Sequence, residues 1–181
     1  MRKIVLYIAT SIDGLIAGKN NDLSWLEEFP NPRQTDYGYQ TFYQSIDTLI
    51  IGGNTYRAIT EMNTPWPYGD KTTYLVSRTI DSDPDIPHVS VLGENWITEV
   101  KALKEQKGKD IWIVGGGEVL KQLLEANLID LMIISQFPVL LGDGVPLFKY
   151  PCIGSQWELS RGRYYSNGVV QSAYSLKRSQ L

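Results

Sequence analysis

The residues best placed to do chemistry in this chain are glycines. In Ile111-Trp112-Ile113-Val114-Gly115-Gly116-Gly117-Glu118-Val119-Leu120, an apolar run of strand type enters three glycines and continues at helical spacing. Such a turn leaves backbone N–H groups unscreened by any Cβ at the positive end of a helix, where a phosphate can approach. A diphosphate bridge is the natural occupant. A tight strand-to-helix turn with no ligand is the alternative, although it needs fewer than three glycines. The spacing is neither G-x-G-x-x-G nor the GK[ST] of a P-loop. A second turn, Gly52-Gly53-Asn54-Thr55, also follows an apolar run and opens a helix, so two such turns can converge at one edge of a parallel sheet. Ser77 and Arg78 end a third strand, where the cation either meets a phosphate or stays in water.

Two carboxylates are candidates for the acid. Asp36 opens a helix that precedes Gly52; in a cleft it could hydrogen-bond a ring amide and raise the proton affinity of a reacting nitrogen. It reads equally as an early-turn helix charge facing water. Asp13, in Ser11-Ile12-Asp13-Gly14, is the competing acid and also an ordinary turn former. With one His (His88) and one Cys (Cys152), no Cys/His zinc site can be assembled from this chain alone, and no metal is expected. No G-x-S-x-G elbow accompanies that histidine, which argues against a Ser-His-Asp hydrolase. The lone cysteine excludes an internal disulfide and fits a reducing compartment, so a cytoplasmic location is expected.

These groups need strands and helices to carry them. The pattern predicts a buried strand over 3–9, a turn at 11–14 and a short extended piece over 15–17. Tyr39, Phe42, Tyr43 and Ile46 recur at three- and four-residue spacing and predict a helix over 35–45. Strands are predicted over 48–51, 74–76, 89–92, 111–114 and 128–135. Helices are predicted over 56–61, 96–106 (ended by Gly108) and 118–126. Asn167-Gly168 marks the turn of a closing hairpin, 157–165 with 169–176. Strands alternating with helices imply an α/β fold whose mainly parallel sheet is covered on both faces and made mixed by that hairpin.

Length and composition agree with one domain over residues 1–181: 43% hydrophobic content supplies a single core, and no linker divides the chain. A net charge of −3, with the 17 Lys and Arg scattered, gives no footprint for nucleic acid or an anionic membrane. The apolar run 4–9 is too short for a signal segment, and nothing approaches the roughly 20 apolar residues of a membrane span.

Six motifs in order resemble the dihydrofolate reductase superfamily over nearly the whole chain. They are Ser11-Ile12-Asp13-Gly14-Leu15-Ile16-Ala17, Asp22-Leu23-Ser24-Trp25, Ile50-Ile51-Gly52-Gly53-Asn54-Thr55-Tyr56, Val76-Ser77-Arg78, Val114-Gly115-Gly116-Gly117 and Gly142-Asp143-Gly144-Val145-Pro146-Leu147-Phe148. The nearer branch is the reductase domain at the C-terminus of the riboflavin-biosynthesis protein RibD, here in stand-alone form. The resemblance implies the three-layer fold of that superfamily and a reductase. Such an enzyme passes hydride from NADPH to a C=N or C=O bond of a pyrimidine- or pterin-like small molecule. 5-Amino-6-(5-phosphoribosylamino)uracil is the nearest model substrate. Dihydrofolate reduction, and a nucleotide-binding regulatory module without turnover, are the alternatives.

The resemblance also assigns roles. Gly115, Gly116 and Gly117 would hold the diphosphate, with Val114, Glu118 and Val119 also among the cofactor-binding residues. Gly52, Gly53, Asn54, Thr55, Ser77 and Arg78 would line the adenosine half, and Ala9, Ile16 and Ala17 the nicotinamide. Asp36 falls at the register of the acid that holds the pterin ring. Trp25, Arg33 and Asp36 are the residues expected to face the substrate, with Arg33 as a partner for a substrate phosphate. Dihydrofolate reductases carry Arg or Lys where Gly53 stands, as a clamp for the 2′-phosphate. Preference for NADPH therefore rests on Ser77 and Arg78, and NADH is not excluded. No H-x-E with P-C-x-x-C is present, so the deaminase chemistry of RibD is not expected. Family members commonly pair as homodimers, and Phe137-Pro138-Val139-Leu140-Leu141 is the apolar stretch that could support such a contact.

Overall fold

The computed structural model describes residues 1–62 and 64–177. The first third of the chain forms β1 (Ile4–Thr10), β2 (Leu15–Ala17), α1 (Ser24–Glu27), α2 (Tyr39–Ser45), β3 (Ile46–Gly52) and α3 (Gly53–Thr60). The middle forms β4 (Thr72–Val76), β5 (Val89–Val91), α4 (Trp96–Glu105), β6 (Asp110–Gly115) and α5 (Gly117–Glu125). β7 (Leu131–Gln136), β8 (Val145–Pro146), β9 (Trp157–Tyr164) and β10 (Val170–Leu176) complete the described residues.

Eight strands make one sheet in the order β5-β4-β3-β6-β1-β7-β10-β9. The six from β5 to β7 are parallel, and β10 enters antiparallel to β7 and pairs with β9 as the expected hairpin. Alternation along the central strands explains why both faces are covered. Ile4, Leu6, Ile50, Ile111 and Ile113 join one apolar cluster beneath α4 and α5, with Val100, Leu120 and Leu123. Their neighbours Val5, Leu49 and Trp112 point the other way, into a cluster with Phe42 of α2. A side-chain period of two can serve two cores only where successive positions are apolar, as they are along 4–8, 49–51 and 111–114. Aromatic rings fill much of the second cluster: Tyr7 stacks on Phe42 at 4.4 Å, and Phe42 and Tyr68 meet Trp112 edge-on.

Several boundaries differ from the pattern-based expectation, for local reasons. The helix expected over 35–45 starts at Tyr39, because Tyr37 (φ 53°) and Gly38 (φ 85°) are left-handed and break the helical path. The glycines thought to precede the helices at 56 and 118 are drawn in, since α3 begins at Gly53 and α5 at Gly117. The strand expected from 128 begins only at Leu131: Asn127 (φ 53°) turns the chain out of α5, and Leu128 and Ile129 are buried without joining the sheet. α4 ends at Glu105 on an extended Gln106, so Gly108 is not its cap.

A buried ion pair fastens the entrance of this sheet. Lys104 of α4, 8% exposed, pairs with Asp130, whose Oδ2 also accepts the Ile4 N–H at 2.8 Å. The Lys104 ammonium donates to the Leu128 carbonyl as well, so the charge is hydrogen-bonded as a buried charge must be. Nearby, the buried Arg2 guanidinium bridges Asp47, Thr48 and the Lys109 carbonyl.

β2 and β8 form a separate antiparallel pair that joins two segments far apart in sequence. The Asp13 carboxylate accepts the Leu141 and Gly142 N–H groups. Ile12 N–H donates to the Val139 carbonyl, and Leu147 N–H to Gly14. The 137–141 stretch is thereby divided: Phe137 is buried among Trp25, Phe29 and Tyr37, while Leu140 is 72% exposed.

Candidate functional site

Parallel strands send their carboxyl ends to one edge of a sheet, and here β3 and β6 are neighbours in register, Ile51 opposite Gly115. Each runs directly into a helix, so α3 and α5 present their first-turn amides side by side at that edge. The two turns touch through main chain. A Cβ on Gly52 would lie 3.2 Å from Gly116 Cα, and one on Gly116 would lie 3.1 Å from Gly52 Cα. Gly116 adopts φ 104°, a conformation side chains resist. A Cβ on Gly115 would lie 3.2 Å from Thr55 Oγ1, and Val119 fits its methyl beneath both turns. The structure thus brings together Gly52, Gly53, Asn54, Thr55, Val114 and Gly115 through Val119, the two turns that sequence placed separately.

Beyond β3, the carboxyl end of β4 adds hydroxyls and cations. Ser77 Oγ accepts the N–H groups of Thr79 and Ile80, fixing a turn, and it lies 2.8 Å from where a Gly53 Cβ would stand. Arg57, one turn along α3, donates to Asn54 Oδ1 at 2.6 Å and to Thr79 Oγ1 at 3.3 Å. The guanidinium therefore roofs the space above Gly53. Arg78 is exposed and has no hydrogen bond or ion pair among the described residues. Arg57 went unnoticed in the sequence, although its i+3 spacing from Asn54 puts both on one helix face.

On the other side of β6 lie β1 and the clipped loops. Ala9 is half-buried two residues past Tyr7, and Ile16 packs against the main core. Ala17 is buried and pairs with Val145. Trp25 meets Phe137 edge-on, and its indole Nε1, buried, has no hydrogen-bond partner. An orphaned donor of this kind is costly unless a ligand or water meets it.

Neither candidate acid is built as a proton donor. Asp36 is exposed and accepts the Gly38 and Gln40 N–H groups, one oxygen each, capping the start of α2. Those backbone bonds hold its carboxyl below the usual carboxylate range. Asp13, hydrogen-bonded to Ser11 and then to the Gly142 and Leu141 amides, is pulled down to about 2. Both stay ionised near neutral pH, so they can orient a group but hold no proton to give.

Arg33, but not Asp36, lines a cavity of about 220 Å³ together with Asn31, Thr35, Tyr165, Ser166 and Asn167. This cavity opens beside the β9–β10 turn, at the same carboxyl edge of the sheet as the glycine turns, since β10 begins opposite Gln136 of β7. A larger cavity, about 410 Å³, lies at the opposite end of the strands among Arg2, Asp47, Asp70 and Lys71. Its charges neutralise one another in pairs, and no helix starts there, so the carboxyl edge is the better candidate. Among the described residues no group of three His, Cys, Asp or Glu is placed to hold a metal ion. No helix among them is long and apolar enough to cross a membrane.

A mixed, mostly parallel sheet with converging helix starts at its carboxyl edge defines an α/β protein of dihydrofolate-reductase-like architecture. The chain belongs to the RibD C-terminal domain family, a reductase-related family whose model matches residues 2–171. It is 42% identical over 147 residues to the uncharacterized protein YwjB of Bacillus subtilis (strain 168), covering 81% of this chain and 83% of that one. A crystal structure of a protein assigned provisionally to riboflavin biosynthesis, from Shewanella sp. PV-4, superposes with a TM-score of 0.87. It is 30% identical and covers 97% of this chain and 99% of its own. Dihydrofolate reductase of Enterococcus faecalis, solved with NADP(H), shares the fold with a TM-score of 0.67 at 16% identity, over 97% of each chain.

Proposed function

We propose that the protein is an NADPH-dependent reductase of a pyrimidine- or pterin-like small molecule, most like 5-amino-6-(5-phosphoribosylamino)uracil. The observation that carries this reading is the backbone contact between two helix-opening glycine turns on adjacent parallel strands. That cradle fits a dinucleotide: a side chain at Gly52, Gly115, Gly116 or Gly117 would meet a neighbouring atom within 3.3 Å, and the amides left bare suit a diphosphate. Membership of a reductase-related family and the NADP(H) complex of the Enterococcus faecalis protein support it.

In this reading Gly115 to Val119 hold the diphosphate, Gly53 to Thr55 and Ser77 the adenosine ribose, and Ala9, Ile16, Ala17 and Val114 border the nicotinamide. Arg57, Arg78 and Thr79 supply cations and hydroxyls for a 2′-phosphate, which favours NADPH over NADH. This replaces the clamp missing at Gly53. A bound nicotinamide would supply hydride; the chain's part is to orient the acceptor. With Asp36 and Asp13 ionised, the chain's contribution is hydrogen bonding through a carboxylate and the Trp25 indole, and the proton comes from water. Arg33 and its cavity would take the anionic end of the substrate. Pairing as a homodimer belongs to the same proposal, with exposed Leu140 as one contact, and sedimentation velocity tests it.

Tryptophan emission followed during separate NADPH and NADH titrations, then reduced-nicotinamide absorbance with pyrimidine and dihydrofolate acceptors, tests the reading. Saturable NADPH binding followed by oxidation with a pyrimidine acceptor is expected. Absence of dinucleotide binding refutes it. Binding without oxidation by any acceptor favours a nucleotide-binding module, a second reading to which the lack of a proton-donating carboxyl lends weight.

A further inference from the structure

The segment that follows β8 lays a lysine across the start of α5. Leu147 is buried and Phe148 packs on the main core, so the backbone leading into Lys149 is anchored. The Lys149 methylenes lie 3.3–3.6 Å from where a Gly117 Cβ would stand, and its Nζ reaches Glu118 Oε2 at 3.5 Å. Both side chains are about half exposed, at 43% and 50%. Glu118 is the acid of the first α5 turn, where it complements the helix dipole. The same carboxylate would oppose a second anion at that turn.

We propose that Lys149 and Glu118 form an exchangeable latch over the dinucleotide turn, in which Lys149 leaves Glu118 to pair with the bound diphosphate. The inference rests on the dinucleotide reading of the turn and assigns it an affinity-setting pair. Magnitudes favour the exchange. A half-exposed ion pair at this separation contributes little, whereas charge-assisted bonds to phosphate oxygens are roughly twice as strong as neutral ones. The lysine stem already lies on Gly117, so little freedom is lost when the ammonium changes partner. Glu118 then opposes the ligand and keeps affinity moderate, and Lys149 raises it.

Two substitutions must therefore act with opposite signs. Lys149→Met keeps the apolar stem on Gly117 and removes the charge; Glu118→Gln removes the competing carboxylate. Dissociation constants for NADPH, NADH and ADP-ribose would be measured by tryptophan emission at several salt concentrations. Expected are about tenfold weaker binding of all three by Lys149→Met, with a flatter salt dependence, and about threefold tighter binding by Glu118→Gln. Equal losses for NADPH and NADH separate a diphosphate contact from a 2′-phosphate contact. Unchanged binding by Lys149→Met, or weaker binding by Glu118→Gln, overturns the latch while leaving the dinucleotide site intact. Failure of the unmodified protein to bind any of the three removes the dinucleotide reading and the latch with it.

Discussion

Replacing Gly116 by alanine probes the contact on which the site depends. Gly116 sits at φ 104°, and a Cβ there would lie 3.1 Å from Gly52 Cα and 3.4 Å from Gly52 N. Holding an L side chain in a sparsely populated backbone region costs roughly 1–3 kcal/mol. The close neighbour is main chain at the end of a central strand, which cannot rotate away, so the two turns must separate by a few tenths of an ångström. A total loss of roughly 2–4 kcal/mol follows, within the range of strongly destabilising single changes. For a domain of this size each kcal/mol lowers the melting temperature by about 2–4 °C, so a fall on the order of 10 °C is expected. Separated turns also misplace the α3 and α5 amides, and dinucleotide affinity should weaken about tenfold, or ~1.4 kcal/mol. Calorimetry and an NADPH titration on the same sample check both. Gly154→Ala is the control, because nothing lies within 4 Å of a Cβ there and its φ is unrestricted; it should melt with the parent. If Gly116→Ala melts within about 2 °C of the parent and binds NADPH equally well, the backbone contact between the turns does not exist as described.

Three further outcomes follow from the structure. Arg57→Met should weaken NADPH binding about tenfold and leave NADH unchanged, since the guanidinium spans Asn54 and Thr79 rather than the glycine turn; equal losses would move its contact elsewhere. Asp130→Asn strands the Lys104 ammonium, 8% exposed, in the core and should cost about 3–5 kcal/mol, read as a lower urea midpoint at unchanged slope. The third concerns alkali. Burial pushes the Tyr7 phenol from 10.0 up to about 12, so between those values the unfolded chain releases a proton that the folded one retains. Stability is therefore fully present below pH 10 and falls as pH rises through 10 to 12, and Tyr7→Phe should flatten that fall; an unchanged slope contradicts the burial.

Much of this architecture was legible because its signals are local. Continuous apolar runs with both parities filled announced two-sided strands, and Asn167-Gly168 announced the hairpin. Three consecutive glycines after β6 located the turn. What was not legible depends on partners distant in sequence. Nothing near Gly52 says that its neighbour is Gly116, and nothing near Gly117 names Lys149, which arrives 32 residues later. Asp36 shows the same limit at short range. Its register suggested a substrate-facing acid, but left-handed Tyr37 and Gly38 shorten α2, and the carboxylate is committed to the freed amides. Helix periodicity reports where apolar residues recur; it does not report where the backbone leaves the helical region. That the buried Trp25 indole N–H has no partner is something only coordinates reveal.

The small β2–β8 pair bears on how the molecule breathes. Backbone bonds at Ile12 and Leu147, the Asp13 carboxylate on Leu141 and Gly142, and the strand pairing all cross between the same two segments. No single one can let go usefully while the others hold. Opening there is a concerted event, and the amides of 11–17 and 139–147 should exchange with solvent deuterium at one common free energy. Residues 11–17 and 139–147, distant in sequence, are thus tied into one unit rather than two independent lips.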